Sequence, residues 1–215
     1  ASQTGLDRYD GKSVQNYRFN STEKSRTITR GYVKTLCVAN DNLWVGTEKG
    51  LNKIYYDPSQ NDYLVEHFFV DSINVNSICN FHSDEILFAS DNTISRQNGE
   101  EIYTFGKDTI IQSIAFFKPD NRIIVGTSKG LFYIRFNLLE QTYSQLSPLS
   151  FYTNNKRISA LYFNERTAKL FIGSNNSAYE FSLIDDTPKL NEIKFGEHFL
   201  GEKVVTTFLL DHQDN

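Results

Sequence analysis

At 215 residues the chain can bury one sizeable core, and its 39% hydrophobic and 14% aromatic content suits a single all-β domain of many packed strands. A formal net charge of −4 argues against a general nucleic-acid binder, whose footprint is basic, and no apolar run approaches the roughly 18 residues of a membrane span. The chain holds no methionine and no visible signal peptide, so its native start is expected elsewhere.

Taken in order, the chain repeats itself. Ala1-Ser2 with Gly5-Leu6 is the first, faintest copy of a small-residue step whose best copy is Val45-Gly46-Thr47 with Gly50-Leu51, inside Asn42–Asn52. Phe88-Ala89-Ser90 with Thr93-Ile94, Val125-Gly126-Thr127 with Gly130-Leu131, and Ile172-Gly173-Ser174 with Ser177-Ala178 follow. The second position of the step falls at 5, 50, 93, 130 and 177, giving spacings of 45, 43, 37 and 47. Such periods belong to solenoids, propellers or arrays.

The content of one period selects among these. Nine to eleven residues before each small pair lies a short β-branched run: Val33–Cys37, Val75–Cys79, Ile111–Ala115 and Ile158–Tyr162, with a final copy at Val205–Leu209. Each reads as a first strand ending in a turn. The triplets Leu43-Trp44-Val45, Ile86-Leu87-Phe88, Ile123-Ile124-Val125 and Leu170-Phe171-Ile172 read as second strands buried on both faces. After the step come third strands at Leu51–Tyr56, Leu131–Phe136 and Ala178–Leu183. More variable fourth strands follow at Leu64–Val70, Glu101–Phe105 and Asn191–Phe195.

Four strands per period of about 40 residues make one blade of a β-propeller. The blades are expected at 29–71, 72–107, 108–155 and 156–203, with partial blades at 1–28 and 204–215. Second strands should start near 42, 85, 122 and 169 and be the most buried. The glycines are expected to serve the tight turn between second and third strands, where a residue without Cβ is free of strain.

Residues 33–57, with Asp41-Asn-Leu-Trp-Val-Gly-Thr-x-x-Gly-Leu-Asn52 at their centre, resemble the two-component regulator propeller repeat, and Gly5-Leu-Asp-Arg-Tyr-Asp10 matches its tail. The copies at 75–97 and 158–183 depart from it, lacking the Trp and one or both glycines. The resemblance implies an extracytoplasmic, periplasmic sensor region of a hybrid two-component system, detecting fragments of complex glycans and controlling a histidine kinase. It also implies a parent sensor that acts as a homo-oligomer.

The run Val205–Asn215 aligns with Val33–Asn42 and stops before a Leu-Trp-Val strand should begin. A fragment of a larger propeller is the favoured reading, against ends that meet to close a fifth blade. Open edges at partial blades lead to an expectation of oligomers or incompletely ordered termini.

Chemical motifs are sparse. His67, His82, His198 and His212 fall at unrelated blade positions without metal-ligand spacing, and no nucleophile elbow, P-loop or dinucleotide fingerprint is present. No cofactor, metal or catalytic residue is assigned. Cys37 and Cys79 occupy one slot in adjacent first strands, too far apart for a disulfide, and are read as small buried hydrophobes. Trp44 is read as core rather than as a sugar-stacking platform.

A site, if present, should lie on the rim where fourth-to-first and second-to-third loops emerge. Counted over all blades that rim carries seven basic residues against five acidic, which leans towards anionic ligands. The residues chosen for ligand contact are Arg30, Tyr32, Lys49, Lys129, Lys156 and Arg157, offering charge and one stacking face to an acidic oligosaccharide. The expected function is ligand sensing without enzymatic activity in this segment. The alternatives are a protein-interaction scaffold or, less favoured, a propeller glycosidase or lyase needing converging carboxylates.

Overall fold

The structure, a computed structural model, describes residues 5–20, 22, 24–82, 85–149, 157–175, 177–184, 187–194 and 204–208. The elements begin with an antiparallel pair, β1 (Leu6–Tyr9) and β2 (Val14–Tyr17). The first four-stranded sheet is β3 (Val33–Ala39), β4 (Asn42–Thr47), β5 (Gly50–Asp57) and β6 (Asp62–Phe68). The second is β7 (Val75–Asn80), β8 (Ile86–Ser90), β9 (Thr93–Arg96) and β10 (Glu101–Thr104). The third has β11 (Ile111–Phe117), β12 (Arg122–Thr127) and β13 (Gly130–Asn137), with an outer neighbour split into β14 (Thr142–Tyr143) and β15 (Ser147–Pro148). The fourth is β16 (Ile158–Asn164), β17 (Lys169–Ser174), β18 (Ser177–Ile184) and β19 (Thr187–Ile193).

Each sheet is an antiparallel meander in chain order, which is the blade of a β-propeller. The fold class is therefore all-β, of the β-propeller type. No helix among the described residues is long and apolar enough to cross a membrane.

The chain divides into two compact units, residues 1–104 and 105–215. In the first, Leu6 and Tyr17 of the β1–β2 pair pack with Val45, Ile54 and Val65 of the first blade. That blade's other face packs Trp44 and Leu51 against Val75, Ile78, Ile86 and Phe88 of the second. Trp44 is 5% exposed with its ring 5.4 Å from Phe68, so it is core. In the second unit Ala115, Phe117, Ile124 and Leu131 meet Ile158, Leu170, Ile172 and Phe181. The second strands start at 42, 86, 122 and 169 and are almost wholly buried.

The first small residue of the repeat serves a purpose other than the turn. A Cβ on Gly46 would stand 2.6 Å from Cγ1 of Val75, and one on Gly126 would stand 2.5 Å from Cγ2 of Ile158. A Cβ on Gly173 would meet Cγ1 of Val205 at 2.7 Å. These glycines let the first strand of the following blade seat its leading β-branched residue on the second strand. Conformational freedom matters at the second position, where Gly50 and Gly130 have φ of +146° and +131°. The turn itself is tied by a hydroxyl: Thr47 and Thr127 each accept from the N–H of Lys49 and Lys129 at 3.1 Å and donate to the carbonyls of Gly50 and Gly130.

The last first-strand copy differs from expectation. Val204 makes an isolated bridge with Asn175, and residues 205–208 form no strand. Val205 nonetheless sits on Gly173 as Val75 sits on Gly46. The Ala1-Ser2 copy lies outside the described residues, as do 209–215.

Candidate ligand-binding rim

In every complete blade the first strand carries a bulge at its entry. Register passes from Val33↔Thr47 to Thr35↔Gly46, from Val75↔Ser90 to Ser77↔Ala89, from Ile111↔Thr127 to Ser113↔Gly126, and from Ile158↔Ser174 to Ala160↔Gly173. The extra residues are Lys34, Asn76, Gln112 and Ser159. A bulge re-aims its side chain and ends regular pairing, so Lys34, Asn76 and Gln112 present polar groups beside the rim, whereas Ser159 turns its hydroxyl to the carbonyls of Gly173 and Val205. Sequence reasoning missed this column, although the second residue of every Val/Ile-x-x-Leu/Ile first-strand run is polar.

The two loops expected to share a rim do so in both units. Glu48 donates its N–H to the carbonyl of Tyr32 at 3.2 Å and its carboxylate accepts from the N–H of Tyr32 at 3.5 Å. Ser128 repeats the exchange with Ile110, N–H to carbonyl at 2.9 Å and hydroxyl from N–H at 3.1 Å. Tyr32 and Ile110 occupy the same register position and are 48% and 49% exposed, so each offers an apolar face at the rim.

On the first unit the structure brings Arg30, Tyr32 and Lys49 together. Arg30 is engaged: its Nε lies 2.8 Å from Asp71, whose own N–H donates to the carbonyl of Lys49 at 2.8 Å. Lys34 bridges blades, its Nζ donating to Oδ1 of Asn76 at 3.2 Å, and Asn74 donates to Asp91 at 3.1 Å. On the second unit lie Lys129, in its hydroxyl-tied turn, and Arg157, immediately before β16. Arg157 bridges blades through Nη2, which donates to Oε1 of Gln112 at 2.7 Å. Lys156 lies outside the described residues. The five of the six chosen residues that are described therefore fall into two groups, three in the first unit and Lys129 with Arg157 in the second.

The segment leading into the first complete blade is fixed from beneath. Asn52, fully buried, accepts from the Thr29 N–H at 2.8 Å and donates to the Thr29 hydroxyl at 2.9 Å and the Val45 carbonyl at 3.1 Å. Because the Thr47 hydroxyl gives its proton to Gly50, the Thr29 hydroxyl must donate to Thr47 across their 2.8 Å contact. Every group of this buried chain is satisfied. His67 adds a donor from Nε2 to the carbonyl of Thr27 at 2.6 Å, which fixes its tautomer; His198 and His212 lie outside the described residues.

Cys37 and Cys79 are free thiols. Burial pushes the Cys37 thiol up to about 11, so it stays protonated at neutral pH, unlike a nucleophilic cysteine. Among the described residues no three His, Cys, Asp or Glu side chains converge as a metal-binding set.

No family model and no curated protein matches the chain. Solved structures do. The extracellular domain assigned to the hybrid two-component system BT4673 of B. thetaiotaomicron is similar at TM-score 0.61 and 18% identity, over 99% of this chain and 29% of that one. Another structure of the BT4673 extracellular domain, there assigned to a one-component system, gives TM-score 0.62 and 16% identity over 99% of this chain and 30% of that one. The periplasmic gluconolactonase PpgL of Pseudomonas aeruginosa gives TM-score 0.62 and 13% identity over 98% of this chain and 72% of that one. At these identities the likeness is one of fold, and the chain spans under a third of the length of the BT4673 domain.

Proposed function

We propose that this chain is a ligand-sensing propeller segment, periplasmic in location, of a hybrid two-component sensor that reads glycan-derived oligosaccharides and controls a histidine kinase. The observation that carries the reading is the Asn42–Asn52 repeat, whose resemblance to the two-component regulator propeller is specific. The fold shared with the extracellular domain of BT4673 supports it. In this reading the segment itself is not an enzyme. It binds at its rims, where Tyr32 and Ile110 offer apolar faces and the bulge residues offer polar groups. Blades held by buried second strands change shape little, so ligand energy is used to shift the relation between propellers or protomers of a homo-oligomeric parent. A ligand moves such an equilibrium only by its differential affinity for the two states.

Titration of the complete sensor region with neutral and acidic oligosaccharides tests the proposal. Micromolar or tighter binding of one class is expected. Failure to bind any glycan, in a parent without a membrane span and kinase, would reject it in favour of an interaction scaffold. The likeness to a gluconolactonase favours a second reading, a lactone hydrolase. Turnover of an aldonolactone by the purified chain above the spontaneous rate would establish that reading instead.

A further inference from the structure

We propose that the rim of the second unit holds an anion subsite, built by Gln112 and Arg157 with Lys129 beside them, which takes a carboxylate or sulfate group carried by an oligosaccharide; it rests on the sensing reading above. Gln112 is the residue bulged out of β11, and its carboxamide oxygen is occupied by Nη2 of Arg157 at 2.7 Å. The polar group it has left to offer is the amide NH2, a donor. Arg157 spends one N–H on that bond and retains the rest of its five, also donors only. The pair therefore presents donors without an acceptor. A sugar hydroxyl is served best by one donor and one acceptor, whereas carboxylate or sulfate oxygens accept only. The tether also holds the guanidinium in place before any ligand arrives, which reduces the ordering cost of binding.

The charge around the pair points the same way. Among the described residues neither Arg157 nor Lys129 has a carboxylate within ion-pair distance, whereas Arg30 on the other unit has Asp71 at 2.8 Å. The expected rim residues described on the second unit comprise Lys107, Lys129 and Arg157 against Asp108 alone; those on the first comprise Arg30 and Lys49 against Glu48, Asp71 and Asp91. Lys129 belongs to the turn whose Ser128 is hydrogen-bonded twice to Ile110, two residues from Gln112. Two cations thus stand at the same end of the sheet as one amide. Ile110, 49% exposed, supplies the apolar surface on which a pyranose face can rest.

Calorimetric titration of the complete sensor region with a uronate trisaccharide, a sulfated trisaccharide and a neutral trisaccharide tests this. One of the two acidic probes is expected to bind at least about tenfold more tightly than the neutral one, and which one identifies the anion. Arg157→Gln and Gln112→Leu should each lower affinity for that probe by about tenfold or more while sparing the neutral trisaccharide. Gln112→Glu, which introduces a negative charge at the same bulge, should lower it further. If Arg157→Gln weakens acidic and neutral probes equally, or lowers only the melting temperature, the pair is merely a tie between blades and the subsite is wrong while sensing stands. If the neutral probe binds as tightly as both acidic ones, the subsite is likewise overturned. If no saccharide binds, both the subsite and the sensing reading fall.

Discussion

The first and third complete blades each build a rim of the same plan from different residues. In both, a turn threonine accepts from the N–H of a lysine and donates to a glycine carbonyl, and a residue of that turn exchanges two hydrogen bonds with the residue preceding the first strand. What differs is everything the geometry leaves free. The entry segment of the first blade is held by a buried amide, Asn52, whereas the equivalent Phe132 of the third packs 5.7 Å from Phe105. Arg30 at the first rim is neutralised by Asp71, and Arg157 at the second is tethered by an amide that carries no charge. The repeat fixes a scaffold through glycines and hydroxyls, and under the proposed sensing role ligand preference would reside in the positions that differ between blades.

The largest effect should come from breaking the buried anchor. Asn52→Ala would leave the Thr29 N–H without its acceptor and take a donor from the Thr29 hydroxyl and the Val45 carbonyl, where water does not reach, at about 3 kcal/mol. Phe132→Ala, which loses a half-buried ring and one aromatic contact, should cost about 2 kcal/mol. Denaturant melts of both variants rank the two anchors. Equal costs would mean that the polar network adds nothing beyond packing. Next in size is the close approach between blades: Gly126→Ala places a methyl 2.5 Å from Ile158 and should cost about 1–3 kcal/mol. The same change at Gly46, pressed between Thr35 and Val75, should match it. A neutral outcome at either site would show that the first strand of the following blade can retreat freely.

Much of this scaffold could be read in the sequence because strand burial has a simple pattern. Three consecutive apolar residues identified each second strand, and a β-branched run identified each first strand. The reason for the first glycine could not be read there. The atoms it makes room for, in Val75 and Ile158, lie about thirty residues further along the chain, and only the packed sheets bring them together. The split outer strand of the third blade escaped for a related reason: edge strands are specified weakly and leave little pattern. At the rim, Arg30, Tyr32, Lys49, Lys129 and Arg157 lie in the loops before first strands or between second and third strands. Sequence position could not distinguish a cation paired with Asp71 from one hydrogen-bonded to Gln112, since the partners lie 41 and 45 positions away along the chain. Nor did it signal the bulges, because a bulge is a matter of register.

Carboxylates contrast the two units in their response to pH. Asp10, in the β1–β2 turn, accepts from the N–H groups of Ser13 and Lys12 and from the Ser13 hydroxyl, which lower it to about 2. A depressed acid contributes stability that is complete above its unfolded value near 4 and is lost as pH falls through about 2. Asp120 is raised, chiefly by burial and against the pull of Arg122 and Arg135. Its sign is opposite: the folded state binds its proton more readily, so its contribution to stability declines as pH rises from the unfolded value through the raised one. A carboxylate NMR titration should show Asp10 ionised at pH 3 and Asp120 titrating above an ordinary solvent-exposed aspartate. Asp120→Asn should flatten stability across that window, and an unchanged pH profile would contradict the assignment.

The smallest expected effect is the most direct test of the contrast between rims. Arg30 and Asp71 are each half exposed or more, so their ion pair is worth less than about 1 kcal/mol. Asp71→Asn keeps the backbone N–H that donates to Lys49 and a residue type that tolerates the left-handed φ of +58° found there. The fold should therefore lose no more than about 0.5 kcal/mol. What changes is the charge: Arg30 gains a free guanidinium edge, and the first rim comes to resemble the second. If unpaired cations decide ligand preference, this variant should bind an acidic oligosaccharide up to about fivefold more tightly than the parent chain. The gain should vanish at high salt and disappear with a second change, Arg30→Gln. Should Asp71→Asn leave acidic binding untouched while Arg157→Gln abolishes it, the difference between the rims would lie in where the amide-tethered arginine stands, and the pairing of Arg30 would be incidental.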